Sequence, residues 1–102
     1  MSVITAVKTF DFRFPTSMTL SGSDAMNPDP DYSSAYVEAH TDADDGITGV
    51  GFVFTIGRGN DVVCKAVESM GQALVGRNVE ELLGDMKRAW DLFVHDSQLR
   101  WL

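Results

Sequence analysis

A chain of 102 residues and 11.2 kDa has room for one domain with a modest core, and 44% hydrophobic against 23% charged residues exclude a disordered tail. Eight basic residues against fifteen acidic ones leave a formal charge of −7, with no cluster of Lys or Arg, which excludes nucleic acid as a partner. The apolar runs are too short to span a bilayer and the N-terminus alternates where a signal peptide would run continuously apolar, so no membrane association and a cytoplasmic location are expected.

From about residue 3 to 14, Ile4, Ala6, Phe10, Phe12 and Phe14 share one parity and Thr5, Thr9, Asp11 and Arg13 the other, with Lys8 as the exception. This is the period-2 signature of a half-buried strand. Pro15 ends it, having no N–H for a ladder. An irregular stretch then runs to about Asp31, longer than compact domains usually leave without secondary structure, and it holds Pro28, Pro30, Asp24, Asp29 and Asp31. Residues 33–41 and 47–55 read as a hairpin: Ala35, Val37 and Ala39 alternate with Tyr36, Glu38 and His40, Asp45-Gly46 supplies a tight turn, and Val50, Phe52 and Phe54 alternate on the return. Gly49 and Gly51 weaken the return strand and mark close packing of another backbone.

The period then lengthens. Val63, Val67, Met70 and Leu74 form a helical stripe over about 61–75, stopped at Gly76. Asn78 with Glu81 resembles a capping box ahead of a second helix over about 79–95, whose stripe is Val79, Leu82, Leu83, Met86, Trp90 and Phe93. Met70, Met86, Trp90 and Phe93 read as core. Strands first and helices after predict an α+β fold, a three-stranded antiparallel meander followed by an antiparallel helical pair that covers one face. "DSQLRWL" turns apolar again at the end, as if cut before a further segment, and Trp101 is expected to cover a surface outside this chain.

Candidate chemistry is sparse. Asp42 to Gly46 invites a calcium loop, but the glycine falls one place early and Val53 stands where a bidentate glutamate is needed, so it reads as a solvated hairpin tip. His95, Asp96 and Ser97 carry the letters of a triad, yet neighbours on one helix project apart, and they read as a helix end. His40 reads as exposed, and Cys64, alone, as a buried small hydrophobe that excludes an internal disulfide. Gly57, Arg58 and Gly59 precede a helix without a phosphate-loop lysine and read as a strand-to-helix turn whose role depends on what it faces.

"RFPTS" (13–17), "SDAMNPDPDYSSAY" (23–36), "FTIGRGNDV" (54–62) and "DSQLRWL" (96–102) together resemble the N-terminal region of L-fuconate dehydratases, acid-sugar dehydratases in the mandelate racemase branch of the enolase superfamily. The resemblance is spread over the whole chain in the family's order. It implies an N-terminal capping domain (residues 1–102) packed over a (β/α) barrel that this chain lacks. The barrel would hold Mg²⁺ and the base that removes the proton beside the substrate carboxylate, before loss of water gives a 2-keto-3-deoxy sugar acid. No catalytic residue and no metal ligand is then expected in this chain.

The resemblance assigns substrate contacts to Gly22, Ser23, Asp24 and Tyr32, with the long loop as a lid over the barrel mouth. A second lid is expected at Thr55, Ile56, Gly57, Arg58 and Gly59. Partners implied are an acid sugar, the chain's own or a separate barrel, and further copies in a homo-oligomer. A free-standing non-catalytic binding or interaction module and the small chain of a split enzyme remain the alternatives. An isolated cap is expected to expose apolar surface and self-associate.

Overall fold

The computed structural model describes Ser2 to Leu102. Three strands, β1 (Ile4–Arg13), β2 (Ser33–Thr41) and β3 (Thr48–Thr55), pair antiparallel in the order β1-β2-β3. Helices α1 (Asn60–Gly71), α2 (Val79–Gly84) and α3 (Met86–Val94) follow, and a single 3-10 turn at Thr16–Met18 opens the long loop. The expected meander-then-helices architecture is what forms.

The register divides the sheet into two unlike faces. One carries the cross-strand row Phe10, Tyr36, Phe52 and, beside it, Phe12, Ser34, Phe54. The other carries Asp11, Ala35, Val53 and Arg13, Ser33, Thr55, together with Val7, Val37, Ala39, Gly49 and Gly51. Helix α1 lies across β1 and β2 on this second, small-residue face. Ala35 is buried there, and a methyl group at Gly71 would collide with the Val7 side chain. The aromatic face of the sheet is therefore the one the helix leaves uncovered, with Phe12 of β1 at 44% and Phe52 of β3 at 71% exposure. Large rings beneath α1 would hold it away from the strands, whereas Ala and Val admit it; the close packing of another backbone expected at Gly49 and Gly51 does not form, since only the Ala39 and Val37 side chains of β2 lie near them. Phe10 and Phe12 instead stack on one another at 5.8 Å, with Tyr36 tilted against Phe12 at 5.4 Å.

One residue breaks the alternation in β1. Ile4 pairs with Thr41 but Ala6 with His40, so Thr5 is an inserted bulge position, and Ile4 turns to the helix-covered face, where it is buried. The chain after α1 returns along this end of β1: Ile4 N–H donates to the Arg77 carbonyl, Gly76 N–H to the Ile4 carbonyl, and Val79 N–H to the Ser2 carbonyl.

The helical half is more divided than expected. The helix predicted over 79–95 breaks at Asp85, whose extended backbone leaves the helix and whose carboxylate caps α3 by accepting from Arg88 N–H at 3.0 Å, as Asn78 caps α2 from Glu81 N–H at 3.2 Å. Glu81 does not complete the box, and Glu80 instead accepts from Ser2 N–H. The main neighbour of α3 is α2, while α1 belongs to the sheet. Met86 and Trp90, expected in the core, are consequently 62% and 66% exposed, while Met70 and Phe93 are half-buried. Cys64 is half-buried too, its thiol pushed up by burial first and then by Asp11, and it points at the Phe10 carbonyl. Trp101, also exposed, is tied locally: its indole donates to the Ser97 carbonyl and Arg100 lies over its ring. With one sheet face bare the radius of gyration is 16.4 Å, against about 13 Å for a compact chain of this length.

Gly71→Ala is expected to destabilise the chain by about 1–3 kcal/mol in urea unfolding, through overpacking against Val7. Val7→Ala in the same chain should recover part of that loss, and strictly additive effects would contradict the close approach. The chain produced alone should sediment as concentration-dependent multimers, and Phe52→Lys should shift it toward monomer; equal sedimentation of both would count against the aromatic face as the cause.

Candidate functional site

Arg13, Ser33 and Thr55 stand side by side across one end of the sheet, and both loops leave from that row. The long loop is pinned at its base. Phe14 N–H donates to the Tyr32 carbonyl, the Thr16 hydroxyl to the Pro30 carbonyl, and Tyr32 N–H to the Thr16 hydroxyl oxygen. Asp31 accepts from both the backbone N–H and the hydroxyl of Ser17. The stretch without strand or helix periodicity is thus ordered by its own side chains, a compact loop of the Ω kind.

Gly22, Ser23, Asp24 and Tyr32 fall into two arrangements at the tip. Gly22 takes a left-handed backbone (φ 74°), and the space where a side chain would start is filled by the Tyr32 hydroxyl, which donates to the Gly22 carbonyl at 3.3 Å. The Tyr32 ring meets Phe54 edge-on at 5.3 Å. Ser23 turns back on the loop, its hydroxyl donating to the Leu20 carbonyl. Asp24 makes a turn of its own: one carboxylate oxygen accepts from Met26 and Asn27 N–H at 2.9 and 2.8 Å, and its N–H donates to the Asn27 carbonyl. Gly22 and Tyr32 are in contact, then, while Asp24 braces Asn27.

The second loop meets the first. Gly57 is buried with φ 118°, and its backbone passes so close to that of Asp31 that no side chain fits between them. Arg13 Nη1 donates to the Gly57 carbonyl at 2.8 Å, and its Nε and Nη2 fork onto Asp11. Asn60, wholly buried at the start of α1, donates to Asp11 at 2.6 Å and accepts from the Thr55 hydroxyl at 2.8 Å. Between the loops lies a cleft of about 220 Å³ whose polar lining comes from Arg13, Asn27, Asp29, Asp31 and Arg58. Ile56, Gly57 and Arg58 of the second loop line it; Gly22, Ser23, Asp24 and Tyr32 do not.

Sequence reasoning missed Arg13, Asn27, Asp29 and Asp31. Their only sequence signal was membership of "RFPTS" and "NPDPD"; Asp31 holds Ser17 from 14 residues away and Arg13 reaches Gly57 across 44. A larger hollow of about 570 Å³ sits between the Gly76–Asn78 turn and α2 with α3, far from both loops, and two of its polar residues, Asn78 and Asp85, are used as helix caps. At the opposite end of the sheet Asp42 accepts from Val3 N–H and Asp45 from Ile47 N–H. His95 lies 3.8 Å from Asp91, one turn back on α3, and half-buried His40 pairs with Glu38 at 3.1 Å.

The Ser17 hydroxyl, and then its backbone N–H, hold the Asp31 carboxyl below the usual aspartate value. Asp11 is lowered first by Arg13 and then by Asn60. A folded value below the unfolded one means that these bonds contribute fully above about pH 4 and are lost as pH falls through the folded value. The Ser17 amide resonance should accordingly titrate with a midpoint below that of a free aspartate and cease to titrate in Asp31→Asn. A midpoint at the free value would rule out this anchoring.

No family model matches the chain. It is 46% identical over 99 residues to L-galactonate dehydratase from Hypocrea jecorina, a match to 97% of this chain and 22% of that protein. The crystal structure of human mitochondrial enolase superfamily member 1 superposes with a TM-score of 0.91 at 42% identity, over 98% of this chain and 23% of the other. L-talarate dehydratase from Polaromonas sp. JS666, solved with Mg and L-glucarate, shares the fold alone (TM-score 0.61, 19% identity, 93% of this chain and 22% of that one). The fold is that of an enolase-type N-terminal capping domain, and the chain's relatives are members of the enolase superfamily. The chain spans about a fifth of the length of the curated relatives it matches.

Proposed function

We propose that this chain is the substrate-capping domain of an acid-sugar dehydratase whose preferred substrate is L-fuconate. Alignment of 97% of this chain with about a fifth of L-galactonate dehydratase, at 46% identity, carries the proposal. L-Fuconate is L-galactonate without its terminal hydroxyl, so the residues that resemble the fuconate enzymes and the galactonate relative point to one stereochemical class. The cleft's lining is compatible with a sugar acid: the Asn27 amide, the Asp29 carboxylate and the Arg58 guanidinium offer both donors and acceptors to a polyhydroxylated chain. Gly22, Ser23, Asp24 and Tyr32 supply the remaining contacts from the loop tip, Asp24 through its second carboxylate oxygen and Tyr32 through a ring held at a fixed angle by Phe54.

Among the described residues no three His, Cys, Asp or Glu side chains converge to hold a metal, so the residues present do not fit the Mg²⁺ of this class. The ion and the base belong to the barrel that the relatives' greater length implies. In the whole protein the two loops would close over the barrel mouth, orient the sugar acid and exclude water while the proton beside the carboxylate is removed and the neighbouring hydroxyl leaves.

The test is turnover by the full-length protein of L-fuconate and L-galactonate to 2-keto-3-deoxy acids, with L-fuconate the faster. Absence of product from both acids would refute the assignment. Asp24→Asn keeps the oxygen that braces Asn27 and should lower kcat/KM by about 1–3 kcal/mol, roughly 5- to 150-fold. Asp24→Ala frees Asn27 as well and should cost more; wild-type kcat/KM in both variants would remove Asp24 from the site.

A further inference from the structure

Asn60 is, with Ser33, one of two fully buried polar side chains among the described residues of an otherwise thinly covered fold, and both ends of its amide are used. Its acceptor end holds the Thr55 hydroxyl, where β3 gives way to the second loop. Its donor end holds Asp11, and Asp11 in turn fixes the Arg13 guanidinium through Nε and Nη2. The remaining Arg13 nitrogen reaches past the sheet edge to the Gly57 carbonyl. Gly57 is thereby pressed against the Asp31 backbone, and Asp31 is the residue that holds Ser17 at the start of the long loop. A run of polar bonds thus joins the first turn of α1 to the second loop, across 49 residues of sequence between Asp11 and Asn60, and the packing of Gly57 on the Asp31 backbone carries it to the long loop.

We infer that Asp11, Arg13 and Asn60 are positioning residues that lock the Thr55–Gly59 loop to the base of the long loop, so that the two form one rim around a single cleft. They act through Gly57 and Asp31, and what they position is the Arg58 side of the cleft relative to Asn27 and Asp29. The two loops therefore open and close together. The mechanical part stands on the geometry alone; the consequence for substrate rests on the acid-sugar reading.

Two variants of the full-length protein, free of ligand, test the coupling by amide hydrogen exchange. Arg13→Lys keeps the charge but reaches only one of its two partners, and Asn60→Ala removes the buried amide. In both, exchange should rise together, by roughly tenfold, at Gly57 on one loop and at Ser17 and Tyr32 on the other, while Val37 and Ala39 in the central strand keep their protection. Faster exchange confined to one loop, or spread evenly through the sheet, would overturn the inference, and Arg13→Lys decides the matter if Asn60→Ala fails to fold. With L-fuconate as substrate, Arg13→Lys should raise KM about tenfold with kcat within about twofold; loss of kcat with KM unchanged would overturn the positioning role. Failure of the wild-type protein to turn over any sugar acid would sink the proposed function while leaving the exchange result to decide the coupling.

Discussion

Close approach of α1 to the first two strands governs this fold. The sheet face beneath it is built from Ala35, Val37, Ala39 and Val7, and Gly71 lets the end of the helix settle onto Val7. A helix that close brings its first residue level with Asp11 and Thr55 and sinks Asn60 completely. A buried amide is tolerable only when its donor and acceptor are both matched, so depth and polarity together select one placement of the helix start. The loop that precedes the helix inherits that placement.

The same packing sends the aromatic residues outward. Phe10, Phe12, Tyr36, Phe52 and Phe54 cover the sheet's other side and interact mainly sideways with one another, except where Phe54 reaches the Tyr32 ring at the loop end. The long loop is consequently buttressed from both faces of the sheet: from the bare side by the Tyr32 and Phe54 pair, from the covered side by Arg13 and Gly57. Its interior does the rest with hydroxyls, carboxylates and two prolines, which lower the entropy lost when the loop takes its shape.

Element types and their order were legible because they depend on periodicity, which survives in a single sequence. Which face of the sheet the helix would cover was not. The alternating rings of β1 carry a strong apolar signal and the alanines of β2 that accept α1 a weak one, so the hydrophobicity of β1 taken alone points to the side the helix leaves bare. The extra residue at Thr5 moved Ile4 across as well, and no composition rule marks a bulge. At Asp85 the apolar stripe ran through a helix boundary that the Gly84-Asp85 pair could have announced, since Asp is a favoured cap. Around the loops, the resemblance supplied Gly22, Ser23, Asp24 and Tyr32, but the brace of Asp11, Arg13, Thr55 and Asn60 joins side chains from three separate elements and needs coordinates to be seen.

The tip of the long loop carries a historical consequence. Because the Tyr32 hydroxyl occupies the volume in which any side chain at position 22 would begin, Gly22 is not free to drift while that tyrosine stays. A lineage exploring new ligands at this spot must first surrender the phenol and only then enlarge the glycine; the reverse order passes through a clash.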